Sequence, residues 1–255
     1  FRKYGVPSGQ LLPTRARGCS FKELMSFLNS MEINLVDVNN GKYNVSVIAD
    51  DEYIGPLIAR GYEWDGWMRS DISKHYKVGT DILDIGANIG YNTLMFSDYG
   101  PVSSFEPLFH PIVTRNVKQN PIKHPINVYT CALSNERRED TIHLPSHGCQ
   151  SDDKINYGGT SFHHTPDIKG EGILVQCERL DDIYKGTPSI MKIDVEGHEL
   201  QVLEGAKETI KQYRPAILVE IHNFTEDNEV HKFIKEFGYD DPITRPESVY
   251  LYVKT

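Results

Sequence analysis

Two stretches of this 255-residue sequence end in groups that can move protons or hold cations. In SIMKIDVEGHE (189–199) an apolar run closes with Asp194, Glu196, His198 and Glu199, and in PAILVEIHN (215–223) with Glu220 and His222. In an extended segment the period of two puts Asp194 and Glu196 on one face, and Glu220 and His222 likewise. Such a set suits removal of a proton from a hydroxyl, with Asp194, Glu196, Glu220, His222 and His198 as candidates. It also suits one divalent ion, Mg²⁺ or Mn²⁺, held by Asp194, Glu220 and His222. Acidic residues also cap helices, and Glu196 to His198 precede an amphipathic run, so one or two of these groups are expected only to cap.

A second constellation lies earlier, in DILDIGANIGYNT (81–93). Asp84 ends a strand-like run, and Gly86 and Gly90 bracket a turn into a helix. Glycines let the chain turn sharply and let a ligand approach bare main chain, and a helix start favours an anionic group. The dinucleotide fingerprint G-x-G-x-x-G is not met, because Asn88 stands near its middle glycine. A pyrophosphate is therefore disfavoured over a slimmer, amino-acid-like tail. In VSSFEP (102–107) Glu106 ends the next strand, 16 residues after Gly90, where it can accept hydrogen bonds from a ribose diol. The pair implies an adenosine-like nucleoside whose substituent lies across Asp84–Gly90.

These residues need a scaffold that brings strand ends together. Buried runs at 81–85, 102–106, 126–131, 189–194 and 215–221 alternate with helical patterns near 90–98, 110–120, 198–212 and 227–237. That alternation predicts an α/β, doubly wound parallel sheet with helices on both faces and ligands beyond the strands' carboxyl ends. A last strand is expected at 248–254, after a turn region FGYDDPITRPE. Residues 1–78 read as a small N-terminal extension, with a loose lead-in at 1–20, a helix at 21–31 and a strand at 42–50. Residues 79–255 read as the main domain, and 140–178 as an insert rich in polar residues. Its His143, His147, Cys149, His163 and His164 match no common zinc spacing, so it is read as an acceptor-binding lid.

Composition narrows the class. A charged share of 25%, a hydrophobic share of 39% and a net charge of −9 describe a globular chain that is not a general nucleic-acid or anionic-membrane binder. No run approaches a membrane span, and no secretory leader opens the sequence, so a cytoplasmic protein with free thiols at Cys19, Cys131, Cys149 and Cys177 is expected. The chain starts at Phe1 rather than Met, so a processed chain or a domain cut from a longer, glycan-building polypeptide is expected.

The motifs DIGANIGYNT, FEP, ALS and KIDVEGHE, with a following VEIH, resemble the FkbM-type family of S-adenosylmethionine-dependent methyltransferases. The resemblance covers roughly residues 45–255. It implies a class I methyltransferase (Rossmann-like) fold, a mostly parallel seven-stranded sheet with an antiparallel last strand, and O-methylation of an alcohol. Carried over by position, Asp84, Gly86, Ala87, Asn88 and Gly90 would hold the methionine part, with Asp194 near it. Glu106 and Pro107 would flank the ribose, and Ala132 and Leu133 would line the adenine. GYEW (61–64) resembles a segment that covers the cofactor, which implicates Glu63 and Trp64, the latter also facing the acceptor. GGTS (158–161) resembles an acceptor-facing motif and implicates Thr160 and Ser161. The expected acceptor is a carbohydrate hydroxyl. The alternatives are a polyketide or other small-molecule alcohol, or an NAD-dependent oxidoreductase.

Overall fold

The structure is a computed structural model that describes residues 32–145, 154–163 and 172–254, together with four positions between 22 and 30. The strands are β1 (Leu35–Asn39), β2 (Asn44–Ile48), β3 (Asp81–Ile85), β4 (Val102–Phe105), β5 (Ile126–Tyr129), β6 (Ala132–Leu133), β7 (Arg138–Ile142), β8 (Ile173–Glu178), β9 (Pro188–Ile193), β10 (Ala216–Glu220), β11 (Ile243–Thr244) and β12 (Val249–Tyr252). Seven of them form one sheet in the order β11-β12-β10-β9-β3-β4-β5. The pairs β5–β4, β4–β3, β3–β9 and β9–β10 are parallel, while β12 runs antiparallel to both β10 and β11. This is the expected class I methyltransferase sheet, reversed at its last strand.

Side-chain alternation distributes the central strands between two cores. Ile82, Ile190 and Leu218 pack on one face against helices Met68–His75, Tyr91–Phe96 and His110–Lys118. Leu83, Ile85, Met191, Ile193, Ile217 and Val219 pack on the other, against helices Glu199–Gly205 and Glu229–Glu236. The same alternation carries Asp84, Lys192 and Glu220 to the first face at the strands' carboxyl ends, and Asp84 is the register partner of Lys192.

Several expectations change. The helix expected over 198–212 is two, Glu199–Gly205 and Lys207–Tyr213, and a Cβ at Gly205 would stand 2.0 Å from Ser134 O. The region before the last strand, expected as a turn, contains β11. The insert's flanks are strands, since β7 and β8 pair antiparallel and join β6 in a three-stranded sheet. Its central part, 154–163, is tied down by Ile155 N donating to Asp50 O and by a main-chain pair between His143 and Ser161. The N-terminal hairpin β1–β2 packs into the sheet's own core, and Asn116 clamps Ser46 through both main-chain groups. The helix expected at 21–31, and Cys19, His147, Cys149 and His164, lie largely or wholly outside the described residues. Cys131 and Cys177 are buried free thiols. Among the described residues, no helix is long and apolar enough to cross a membrane.

Candidate active site

One cleft of about 270 Å³ runs along the carboxyl ends of the parallel strands and gathers both constellations. Its form begins with the turn after β3. Gly86, Asn88 and Gly90 all have positive φ, at 79°, 51° and 84°. Asparagine tolerates that region and glycine is at ease in it. Gly86 is also required sterically, because a Cβ there would lie 1.7 Å from Asp194 O. The tips of β3 and β9 thus meet main chain to main chain. Gly90 packs on Val113 behind the turn, while Gly86, Ala87 and Asn88 face the cleft.

Glu106 is the best-held acid of the site, only 6% exposed. Its Oε1 accepts from Leu108 N at 2.8 Å and Phe109 N at 2.9 Å, and its Oε2 accepts from Asn88 N at 2.9 Å. One acceptor position on Oε2 is left toward the cleft. Burial pushes its carboxyl up to about 7, against the pull of the three amide donors. Pro107, Ala132 and Leu133 line the same end.

Asp84 departs from its expected role. It is 0% exposed, accepts from Thr93 Oγ1 at 2.5 Å and lies 3.6 Å from Lys192 Nζ, so it anchors the turn from below and offers a ligand no surface. Glu63 departs as well: it is paired with Lys42 at 2.9 Å and Arg69 at 2.7 Å outside the cleft. Trp64 and Asp65 of that segment line the cleft in its place. Thr160 lines it and donates to Tyr157 O, whereas Ser161 turns away to donate to Glu196 O at 3.0 Å.

At the other end stand the tips of β9 and β10. Lys192 Nζ donates to Gly86 O at 2.9 Å and lies 3.2 Å from Asp194 Oδ2. Burial would discharge this lysine, but Asp194, Asp84 and Asp65 outweigh it and hold the ammonium charged. Glu196, in the left-handed region at φ 52°, is pushed up to about 7 by burial and by Asp194 and Glu199. Glu220 is pushed up to about 9 by burial and then by Asp194, Glu196 and Glu199. His222 Nε2 lies 3.3 Å from Glu220 Oε2 and 3.8 Å from Glu196 Oε2, with 57% of its side chain exposed. The contact with Glu220 is not aligned for a hydrogen bond, which leaves that buried oxygen unpartnered. Glu196, Glu220 and His222 each bring one ligand atom within 4.8 Å of the others. Asp194, expected in that set, belongs to Lys192. Glu199 caps the loop by accepting from Val195 N and Gly197 N.

His198 lies 3.0 Å from Ser134 Oγ and packs at a tilt of 43° against Phe162, ring centroids 4.6 Å apart. Burial, with help from Arg138, lowers its pKa to about 4, so the imidazole is neutral at pH 7. Among the cleft residues that were not foreseen are Asp65, Asn92, Lys192 and Glu247. A lysine inside the apolar run SIMKI was the one signal available, since a charge in a central strand must find a partner.

The sequence pattern of the family described as Methyltransferase FkbM domain matches residues 84–240. Among curated proteins, Hexuronic acid methyltransferase AglP of Haloferax volcanii is 27% identical over 168 residues, 65% of this chain and 66% of that protein. Among solved structures, Methyltransferase FkbM from Methylobacillus flagellatus KT is 19% identical with a TM-score of 0.43, over 68% of this chain and 43% of that one. A tRNA (uracil-54, C5)-methyltransferase of Pyrococcus abyssi, in complex with S-adenosyl-L-homocysteine, is 11% identical with a TM-score of 0.39, over 86% and 42%. The chain thus spans a little under two thirds of the curated relative and less than half of either solved chain.

Proposed function

The chain belongs to the FkbM methyltransferase family, and from that premise we propose that it transfers a methyl group from S-adenosylmethionine to a hydroxyl of a carbohydrate. The observation that carries this reading is the continuity of the cleft. A nucleoside end at Glu106 and an acid-rich end at Glu196 and Glu220 lie on one surface, joined by the turn at Gly86.

The residues present fit such a cofactor. Glu106 keeps an acceptor position on Oε2 for a ribose hydroxyl, and Ala132 and Leu133 give an apolar wall for a base. The fit to a dinucleotide is poor, since Lys192, the lysine of the cleft, is already engaged by Asp84, Asp194 and Gly86 O. The bound cofactor supplies an electrophilic methyl on a sulfonium. The chain supplies alignment and proton removal. Glu196, titrating near neutrality at the cleft wall, is the group we assign to accept the hydroxyl's proton. Glu220 and His222 orient the hydroxyl beside it.

The carbohydrate assignment rests on the polar acceptor end and on the curated relative, a hexuronic acid methyltransferase by name. Among the described residues that end is acidic, which favours a neutral sugar ring at the reacting hydroxyl over one with a carboxylate next to it. A polyketide or other small-molecule alcohol is the alternative acceptor. The convergence of Glu196, Glu220 and His222 also supports a second reading, in which a divalent ion such as Mg²⁺ or Mn²⁺ orients and acidifies the alcohol.

The test is transfer of labelled methyl to a panel of neutral and acidic glycosides, with NMR of the product. Glu196→Gln and Glu220→Gln should lose turnover while S-adenosylhomocysteine affinity stays within a few-fold. Full turnover in both variants would remove the assignment of the base. Label appearing only in non-sugar alcohols would remove that of the acceptor.

A further inference from the structure

Three acceptors converge beside the glycine turn, and among the described residues no cation is in contact with them. Asp65, Asn92 and Glu247 all line the cleft. Asp65 is 9% and Asn92 5% exposed, so both are withdrawn from bulk water. Asn92 Nδ2 donates to Asp65 Oδ2 at 2.7 Å, which fixes the amide's orientation. Its Oδ1 is thereby a buried acceptor with no hydrogen-bond partner. Burial raises both the Asp65 and the Glu247 carboxyl, and the charge of Asp65 adds to the rise at Glu247, to about 7, which favours one proton shared between them. Lys192 does not answer them by contact, because its ammonium is bound to Asp194 and Gly86 O.

We propose that Asp65, Glu247 and Asn92 Oδ1 form a subsite for a primary ammonium, and that its occupant is the amino group of the cofactor's amino-acid tail. An ammonium has three N–H donors, and three acceptors stand here. Placed between the carboxyls, it replaces the shared proton and satisfies the orphaned amide oxygen. Position selects the occupant. Glu106 holds the turn at Asn88 N, two residues before Gly90, and Asp65 holds it at Asn92, two residues after. A nucleoside anchored at Glu106 with its substituent across the turn therefore brings its amino-acid end to Asp65. Glu247 reaches the site from the far edge of the sheet, before β12, and is followed by Ser248. These two non-glycine residues hold φ of 57° and 59°. The inference rests on the adenosylmethionine reading above and adds to it Asp65 and Glu247, which lie outside the family's matched segment.

Calorimetric titration with S-adenosylhomocysteine and with 5′-methylthioadenosine separates the parts, since the second keeps the thioether nucleoside but lacks the amino-acid tail. The proteins are the wild type, Asp65→Asn, Glu247→Gln and Glu247→Gly. Glycine is at ease at φ 57°, so the last variant removes the carboxylate without opposing the backbone. S-adenosylhomocysteine affinity should fall by about tenfold to a hundredfold in each variant, the range for a lost hydrogen bond to a charged group, and methylthioadenosine affinity should stay within about twofold. Unchanged binding of S-adenosylhomocysteine overturns the subsite, as does an equal loss for both compounds. If the variants bind S-adenosylhomocysteine normally but lose only amino-sugar acceptors, the occupant is wrong. A wild type that binds neither compound overturns the cofactor reading itself, and the subsite with it.

Discussion

Replacing Gly86 with alanine tests the idea that the two strand tips are held in main-chain contact. At φ 79° any residue with a Cβ incurs the left-handed penalty of about 1–2 kcal/mol. The new Cβ would also stand 1.7 Å from Asp194 O and 2.9 Å from its carbonyl carbon. To reach the 3.0 Å below which such contacts are essentially never seen, turn and strand must separate by roughly 1.3 Å. That movement stretches Asp194 N→Ile85 O, now 3.1 Å, and Lys192 Nζ→Gly86 O, now 2.9 Å. Overpacking adds about 1–3 kcal/mol, and the whole cost comes to about 3–5 kcal/mol. Gly61 is the control, with φ 87° and nothing within 4 Å of an added Cβ, so Gly61→Ala should cost only about 1–2 kcal/mol. Urea unfolding with linear extrapolation measures both, and S-adenosylhomocysteine titration reports the site. The midpoint of Gly86→Ala should fall by roughly 1 M or more, with binding lost even where the protein is folded. Equal midpoints for the two variants, or undisturbed binding in Gly86→Ala, would refute the close approach.

Other outcomes follow from the same charges. Lys192→Met leaves Asp84 wholly buried without its cation and should cost about 3–5 kcal/mol in urea unfolding; adding Asp84→Asn should restore part of it. For Glu106 the ordinary value of 4.5 is raised to about 7 in the folded state, so the folded chain binds the extra proton between these values. Its stabilising contribution is complete below about 4.5 and is lost as pH rises through 7. Methylthioadenosine should bind more tightly at pH 8 than at pH 6, because the ribose needs the ionised acceptor, and the reverse trend would exclude Glu106 from that role. EDTA followed by Mn²⁺ tests the divalent-ion reading: activity lost and then restored supports a metal on Glu196, Glu220 and His222, and activity unchanged removes it.

What could be read from the sequence was what local pattern determines. The five buried runs became β3, β4, β5, β9 and β10 because an apolar run between helical segments has few homes other than a parallel sheet covered on both faces. That Glu106, Glu196 and Glu220 would line one cleft was legible because strand ends in such a sheet face one edge. Glu63 misled because it sits in a turn. Asp65 has φ 51° and Gly66 follows it, so the chain reverses there and the second acid, not the first, enters the cleft. Glu247 was hidden for another reason. Nothing local distinguishes TRPE, and only the pairing of β11 with β12 brings it to a carboxyl 182 positions away. β1, with three exposed positions and none buried, carries too little apolar signal to be seen without β2 beside it.

The reading of Asp84 shows how a residue can be necessary to a site that it does not touch. Its carboxylate accepts from Thr93 one turn into the following helix and faces Lys192 across the β3–β9 register. Lys192 in turn grips Gly86 O and Asp194. The amine therefore ties the backbone of the proposed nucleoside end to a side chain of the proposed proton-accepting end, within one set of contacts shorter than 4 Å. Methyl transfer requires donor and acceptor atoms in line, and a displacement of about an ångström between the two ends is enough to lose much of the rate. A buried lysine costs a good deal to desolvate, and a methionine could fill its space. Its presence is accounted for if its work is to fix that distance. In Lys192→Met the turnover should then fall further than cofactor affinity does, whereas a purely structural lysine would lower both only in proportion to the folded fraction.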